Sequence, residues 1–113
     1  MKVTQSALLN SSQAAEAKKL GAALARLRIA RSMKQDQAAL RAGLSRNTAY
    51  RLEKGDPGIA MGQVLRYLEA IVPGKTLLEL LSETDPALAA LSAKEQRRRA
   101  RELSTRELEE IDF

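Results

Sequence analysis

The sequence contains no cysteine and no histidine. Their absence excludes disulfides, thiolate zinc sites, cysteine nucleophiles and imidazole acid–base chemistry. Aromatic residues are nearly absent as well, since Tyr50, Tyr67 and Phe113 are the only ones. Alanine and leucine dominate and β-branched residues are sparse, a composition that favours helices over strands. We therefore expect an all-α fold with a small aliphatic core, no metal or cofactor, and no enzymatic activity.

Long apolar runs are also missing. No stretch approaches the roughly 18 residues that a membrane span requires. The first residues lack the apolar region of a signal peptide. These two observations predict a cytoplasmic protein without a membrane partner.

Positive charge is distributed unevenly along the 113 residues. Residues 1–82 hold 13 Lys/Arg against 6 Asp/Glu, a balance of +7, whereas residues 83–113 hold 6 against 8, a balance of −2. The length fits one domain with a short appendage. A basic folded part favours a polyanionic partner such as nucleic acid.

Apolar periodicity and turn residues divide the basic part into five short helices. The predicted helices span residues 13–31, 35–42, 45–54, 61–71 and 76–81. Gly43 ends the second of them and Ser45 is a good N-cap for the third. The order of Pro57 and Gly58 predicts a type II turn after the third helix. The core side chains expected from the last two helices are Val64, Leu65, Leu68, Ile71, Leu77, Leu78, Leu80 and Leu81.

Both ends of the chain differ in character from the middle. Residues 1–12 are polar, and we expect a flexible arm; a contact of this arm with a minor groove is the alternative. Residues 83–113 form a charged extension in which Ser92 with Glu95, and Ser104 with Glu107, match the capping-box pattern. They predict helices near 93–103 and 105–111. The basic stretch 94–101 has three interpretations: a solvated tail, a clamp on the DNA backbone or a docking segment.

The most informative feature is a pair of short helices joined by only Gly43-Leu44-Ser45. So short a joint makes the two helices cross steeply, which requires small residues where they touch. The alanines that can meet this need are Ala38, Ala39, Ala42 and Ala49. This arrangement allows one helix to enter a major groove while its predecessor bridges the DNA backbone.

The stretch from Met33 to Gly55, MKQDQAALRAGLSRNTAYRLEKG, resembles the helix-turn-helix of the Xre, lambda-repressor-like family. The resemblance covers residues 17–81. It implies a five-helix DNA-binding domain over residues 13–82 that acts as a dimer on double-stranded DNA, associated with the nucleoid when bound. The turn at 55–58 and the leucine-rich helix after it are similar, more narrowly, to HipB-type antitoxins and regulators.

The resemblance also implies roles for individual residues. The implied DNA-binding residues are Gln35, Ser45, Arg46, Asn47, Thr48, Tyr50, Arg51 and Lys54. Arg46 and Asn47 match base-reading positions, and their chemistry suits this, because Arg pairs bidentately with guanine and Asn with adenine. The alternative for this set is an ordinary solvated helix face. Arg28 and Glu53 match a buried structural ion pair of the family.

Several positions depart from the family pattern: Ala38 and Ala49 are smaller than the usual Leu and Ile, and Tyr50 replaces a small polar residue. Lys34 stands where a small capping residue is usual, so we expect Ser32, together with Gln35, to cap the second helix instead. Ala60 is a weak cap for the fourth helix. The segment Gly74-Lys75-Thr76 ends like a P-loop, but Glu69 replaces the glycine required five residues earlier, so we exclude nucleotide binding there.

The sequence thus predicts a DNA-binding transcriptional regulator, a repressor that binds a palindromic operator as a homodimer. The alternative is an antitoxin that neutralises a HipA-like kinase toxin through protein–protein contact and regulates its own operon. A plain RNA-binding or scaffold protein is a weaker third reading, because the chain has almost no aromatics for base stacking.

Overall fold

The computed structural model describes the backbone of residues 4–82 and 86–111, and the side chains of residues 4–82 and 87–103. All regular structure in this part of the chain is helical, which confirms the predicted fold class. The helices are α1 (Gln5–Leu8), α2 (Ser11–Ala30), α3 (Gln35–Ala42), α4 (Arg46–Glu53), α5 (Met61–Ile71), α6 (Leu77–Leu81) and α7 (Pro86–Ile111).

The core lies where α3 packs against α4 and α5, and where α2 crosses α4. Its buried side chains are Leu24, Leu27, Ala38, Ala39, Ala42, Ala49, Leu52, Tyr67, Leu68, Ile71 and Leu80. The four alanines predicted to separate the crossing helices are all among them. A methyl group at these positions lets the α3 and α4 backbones come close, so the short joint is sterically possible.

The joint between α3 and α4 forms through the two predicted local signals. Gly43 adopts φ +69°, the left-handed conformation, just after the last turn of α3. The Ser45 Oγ accepts a hydrogen bond of 3.1 Å from the backbone N–H of Thr48 at the start of α4. The ends of both helices are therefore fixed by local hydrogen bonds and by one glycine.

The turn after α4 differs from the prediction of a type II turn. Positive φ occurs at Gly55 (φ +79°) and not at Gly58. The Asp56 Oδ1 instead accepts a hydrogen bond of 2.8 Å from the backbone N–H of Gly58. The prediction was wrong because an aspartate at the first turn position can accept a hydrogen bond from the backbone N–H two residues later. This bond closes the turn without the positive φ that a type II turn requires at Gly58.

Ser32 does not cap α3, contrary to the expectation. It has φ +54° and ends α2, with the next backbone N–H, that of Met33, donating to the carbonyl of Arg28 at 3.1 Å. The N-cap of α3 is Lys34, whose backbone N–H donates to Gln37 Oε1 at 3.0 Å. The Gln37 side chain thus satisfies the N–H of the N-cap residue, and the Gln37 N–H itself donates to Asp36 Oδ1 at 2.9 Å, without a small capping side chain.

The N-terminal segment contains more helix than the expected arm. α1 lies within it, and α2 begins at Ser11, two residues earlier than predicted. The reason for the early start is Asn10: its Oδ1 accepts from the backbone N–H of Gln13 at 2.8 Å, while Gln13 Oε1 accepts from the backbone N–H of Asn10 at 3.1 Å. This reciprocal capping box forms with Asn and Gln in place of the usual Ser and Glu.

Three of the leucines assigned to the core are exposed. Leu65 on α5, and Leu78 and Leu81 on α6, retain 48%, 78% and 64% of their accessible surface, respectively. The buried face of α5 is narrower than expected, because that helix packs mainly against α3. In α6, Leu80 alone is fully buried, with Leu77 partly buried beside it.

The C-terminal extension forms one helix rather than two. α7 is continuous from Pro86 to Ile111, so neither Ser92 nor Ser104 begins a helix. The capping-box spacing was misleading because no glycine or proline interrupts the chain between these positions. Leu88 packs against the core, and Arg26 of α2 forms a two-pronged ion pair with Glu95 at 2.7 and 3.2 Å. These contacts join the first half of α7 to α2.

Candidate nucleic-acid interface

α4 presents one buried and one exposed face. Ala49 and Leu52 are buried in the core. The side chains on the opposite face are Arg46, Asn47, Tyr50, Arg51 and Lys54, all exposed. Since residues four apart lie on the same side of a helix, these five form one continuous surface. It carries three cations, one amide and one aromatic ring, which is a suitable combination for contact with bases and phosphates.

Tyr50 and Lys54 are also in contact with each other. The Lys54 Nζ lies 5.5 Å from the centre of the Tyr50 ring, within the range of a cation–π interaction. Tyr50 keeps 52% of its surface exposed despite this contact. The pair therefore offers an apolar ring and a positive charge next to each other at the C-terminal end of α4.

Ser45 and Thr48 are occupied in capping α4. Besides receiving the backbone N–H of Thr48, the Ser45 Oγ donates to the Thr48 Oγ1 at 2.9 Å. Thr48 is half-buried and Ser45 is exposed. The structure thus places these two implied DNA contacts beside the exposed surface of α4, at its N-terminal end.

A buried ion pair holds the other end of α4. Arg28 of α2 donates to Glu53 from Nε at 2.7 Å and from Nη2 at 3.0 Å. The two side chains retain only 14% and 6% of their accessible surface. The Glu53 carboxylate raises the pKa of Arg28, chiefly through this hydrogen bond. The third nitrogen, Nη1, donates to the Met33 carbonyl at 2.8 Å, so Arg28 also fixes the chain between α2 and α3.

Two further side chains complete this network on Glu53. Gln35, the first residue of α3, donates from Nε2 to Glu53 Oε1 at 3.0 Å, and the Tyr67 hydroxyl donates to Glu53 Oε2. Burial, and secondly the bond to Glu53, raise the pKa of Tyr67, so its hydroxyl remains a donor. The start of α3 and the end of α4 are thereby tied to one carboxylate. Gln35 belongs to this network rather than to the exposed surface of α4.

Sequence reasoning missed Tyr67. A tyrosine in a helix otherwise lined by aliphatic residues was a usable signal, because a buried hydroxyl requires a hydrogen-bond partner. The partner itself was not identifiable, since Glu53 lies on another helix.

Arg51 forms a second, exposed ion pair at the edge of the surface. Its Nε donates to Asp56 Oδ2 at 2.7 Å, with 44% and 33% of the two side chains exposed. The backbone N–H of Gly58, and then Arg51, lower the pKa of Asp56, so this side chain is a carboxylate at neutral pH. This ion pair favours one orientation of the Arg51 guanidinium. Among the described residues no such contact is seen for Arg46 and Asn47, at the other end of α4.

A metal site and a membrane span find no support in the described residues. No group of three or more His, Cys, Asp or Glu side chains is placed there to hold a metal ion. None of the helices in this part of the chain is both long and apolar enough to cross a membrane.

The crossed α3–α4 pair, the exposed polar face of α4 and its buried anchor define a helix-turn-helix DNA-binding domain. Comparison with known families agrees: residues 19–80, more than half of the chain, match the family described as helix-turn-helix domain, and the chain belongs to that family. No curated protein and no solved structure matches the chain. Such domains are typical of DNA-binding regulators and are not usually enzymes.

Proposed function

We propose that the protein is a sequence-specific transcriptional repressor, and that α4 reads its operator in the major groove. The observation that carries the proposal is the exposed surface of α4, in which five side chains suited to DNA lie on one face of a helix whose opposite face is buried. The ion pair between Arg28 and Glu53 supports it, because a base-reading helix must be held rigidly to discriminate between sequences.

Within this proposal the residues of α4 have different roles. Arg46 and Asn47 lie in the first turn, the part of a recognition helix that reaches base edges, where they would pair with guanine and adenine. Tyr50 would contact a thymine methyl group or a sugar. Thr48 and Lys54 are proposed phosphate contacts, together with Ser45 at the N-cap.

Gln35 is the proposed phosphate contact from α3. Its amide already donates one hydrogen bond to Glu53. A primary amide has two N–H donors, so the second is available to a phosphate oxygen. In this way one glutamine would join the DNA backbone to the buried network.

We further propose that the protein binds a palindromic operator as a homodimer. Two copies related by a two-fold axis would place two α4 helices in successive major grooves about 34–36 Å apart. This spacing gives the proposal a measurable consequence in the sequence of the operator.

Selection of bound fragments from a random pool of double-stranded DNA tests the proposal. We expect an inverted repeat whose half-sites are centred about 10 base pairs apart, or a multiple of that spacing. Arg46→Ala serves as the matched variant and should fail to enrich the same repeat. Enrichment of no sequence by the unaltered protein, or the same repeat with Arg46→Ala, would contradict reading by α4.

An antitoxin of a HipA-like kinase toxin is the second candidate function. The observation that favours it is the position of α7, whose side chains 97–103 all remain exposed beyond its contact with α2. Leu103 keeps 57% of its surface exposed, and Arg97 and Arg99 stand on the same helix. Co-expression with a kinase encoded next to this gene would test it: rescue of growth by the full chain, and not by a chain ending at Ser82, is the expected result.

A further inference from the structure

Asp56 makes two hydrogen bonds that point in different directions. One carboxylate oxygen, Oδ1, receives the backbone N–H of Gly58 at 2.8 Å and closes the turn after α4. The other, Oδ2, receives Arg51 Nε at 2.7 Å. The backbone N–H of Asp56 also donates to the Arg51 carbonyl at 3.0 Å. The Gly58 N–H thus holds the carboxylate, and the bond to the Arg51 carbonyl holds the Asp56 main chain, while the carboxylate pairs with the guanidinium.

The bond to Asp56 does not involve the terminal nitrogens of the Arg51 guanidinium. It engages Nε, whereas Nη1 and Nη2 carry the pair of parallel N–H donors that match O6 and N7 of guanine. A free arginine side chain must lose considerable rotational freedom before it can make such a pair. In the protein without DNA, the ion pair with Asp56 therefore favours one orientation of the Arg51 guanidinium.

We propose that Asp56 is a positioning residue that orients Arg51 to read one guanine in each half-site. The inference rests on the proposed function, because it requires α4 to lie in the major groove. It assigns Arg51 to base recognition through its terminal nitrogens, and it gives the turn after α4 a part in specificity.

The negative charge of Asp56 also contributes to specificity, in a second way. A carboxylate at the edge of a DNA-binding surface repels phosphates and offsets the charge of Arg51, which lowers affinity for DNA of any sequence. At the right base pair the two bonds to guanine outweigh this repulsion. Asp56 thereby increases the difference between operator and random DNA, which is the quantity that determines specificity.

Asp56→Asn tests the proposal, because asparagine can still accept the Gly58 N–H through Oδ1 but presents an N–H₂ group toward Arg51. We expect the preference at a single base pair per half-site to fall by roughly 5-fold or more, the lower end of what one bidentate arginine–guanine pair contributes. Affinity for random DNA should stay the same or rise. Glu69→Gln is the matched control, since it removes one negative charge near the C-terminal end of α5, where the Glu69 carboxylate accepts the backbone N–H of Gly74.

Two companion variants separate positioning from folding. Arg51→Lys leaves Asp56 and its turn in place but removes the planar fork, and it should lose preference at the same base pair. In an Arg51→Ala background, Asp56→Asn should produce no further loss at that position. Thermal melting of each variant monitors the fold independently.

Several outcomes would overturn the proposal. If Asp56→Asn weakens binding to operator and random DNA equally, or strengthens both equally, Asp56 acts on the DNA backbone only. Loss at a different base pair from that of Arg51→Lys would exclude action through Arg51. If the unaltered protein binds no DNA, the proposed function fails first and this inference with it; if it binds a defined operator whose base preferences Asp56→Asn leaves intact, the inference alone fails.

Discussion

Gly21 of α2 and Gly55 at the end of α4 bring two backbones into direct contact. A Cβ atom on Gly21 would lie 2.6 Å from the backbone nitrogen of Gly55, and one on Gly55 would lie 2.5 Å from the Cα of Lys18. Both distances are far below van der Waals contact with atoms that cannot rotate away. The closeness of α2 to α4, and with it the orientation of the proposed reading helix, depends on the absence of side chains at these positions.

Gly21→Ala should therefore destabilise the protein by about 1–3 kcal/mol, the usual cost of overpacking. Gly55→Ala should cost more, because it adds the strain of a left-handed residue (φ +79°) to the same clash. Gly62→Ala is the control, since nothing lies within 4 Å of its added Cβ. In that exposed helical position alanine should stabilise by about 0.5–1 kcal/mol. Urea unfolding of the three variants measures this order, and a neutral Gly21→Ala would show that the two helices are free to separate.

Loss of the Glu53 carboxylate should be among the most damaging single changes. Glu53→Ala leaves Arg28 buried without its partner, at a typical cost of about 3–5 kcal/mol. Arg46→Ala alters an exposed side chain and should change stability by less than about 0.5 kcal/mol. Thermal melting followed by circular dichroism compares the two. Equal melting temperatures would contradict the burial of this ion pair.

Tyr67 should make the protein sensitive to alkaline pH. Burial raises its pKa in the folded state above the value near 10 of an unfolded chain. The folded state therefore holds its proton more tightly, so the contribution of Tyr67 is fully present below about pH 10 and is lost as the pH rises further. Tyr67→Phe should cost about 1.5–3 kcal/mol at neutral pH, the contribution of a hydrogen bond to a charged group. Above pH 10 the free energy of unfolding of Tyr67→Phe should then fall less steeply with pH than that of the unaltered protein.

Denaturant unfolding at a series of pH values measures this difference in slope. Tyr50→Phe is the matched control, because it removes the same hydroxyl from an exposed ring. If the unaltered protein and Tyr67→Phe lose stability in parallel between pH 10 and 11.5, another group is responsible for the alkaline transition.

Arg46 and Asn47 should determine base preference. Each change to alanine should weaken specific binding by about 1–3 kcal/mol and relax the preference at one base pair per half-site. Arg66→Ala removes a charge from the exposed part of α5 and is the control for a general electrostatic effect. Gel-shift titrations on matched and mismatched operators measure both the loss of specific binding and the loss of base preference. Equal losses on random DNA would show that Arg46 and Asn47 contact phosphates only.

Local signals account for the parts of the fold that sequence predicted well. Gly43 and Ser45 determine the ends of α3 and α4 through their own conformation and hydrogen bonds, so the bounds of both helices were readable from the sequence. The residues of the exposed surface of α4 followed from the resemblance to the helix-turn-helix of the Xre family. The residues assigned to DNA contact within α4 all lie on that surface or at its capped end, although their contacts with DNA remain predictions.

The features that sequence did not predict depend on contacts between distant elements. The close approach of Gly21 and Gly55, and the bond from Tyr67 to Glu53, join residues on different helices, and periodicity carries no information about such pairs. Leu65 was misassigned because apolar spacing locates a buried face but not its width. α7 was divided in two because Ser104 with Glu107, like Ser92 with Glu95, has the spacing of a capping box, and this spacing also occurs in the middle of a helix.

The contact of α7 with α2 bears on whether residues 83–113 are needed for folding. Leu88 lines one cleft with Ala23 and Leu80, so part of the extension covers the edge of the core. The ion pair between Arg26 and Glu95 is largely exposed, with 44% and 42% of the side chains accessible, and exposed pairs contribute little. The main loss on removing α7 would therefore be the burial around Leu88, which is small beside the core formed by α2 to α6.

A chain that ends at Ser82 should consequently remain folded, with a lower melting temperature, and should keep its operator preference. It should lose self-association, toxin binding or both, because the exposed part of α7 is the proposed docking segment. Its binding should also depend less steeply on salt, since the truncation removes Arg97 and Arg99 with the rest of the basic stretch. Leu88→Ala in the full chain is the control for the chain that ends at Ser82. It should reproduce the lower melting temperature of that chain but not its loss of self-association or toxin binding. Circular dichroism, sedimentation and salt-dependent gel shifts measure these effects separately. An unfolded truncated chain would show that α7 belongs to the core, and that the domain does not end near residue 82.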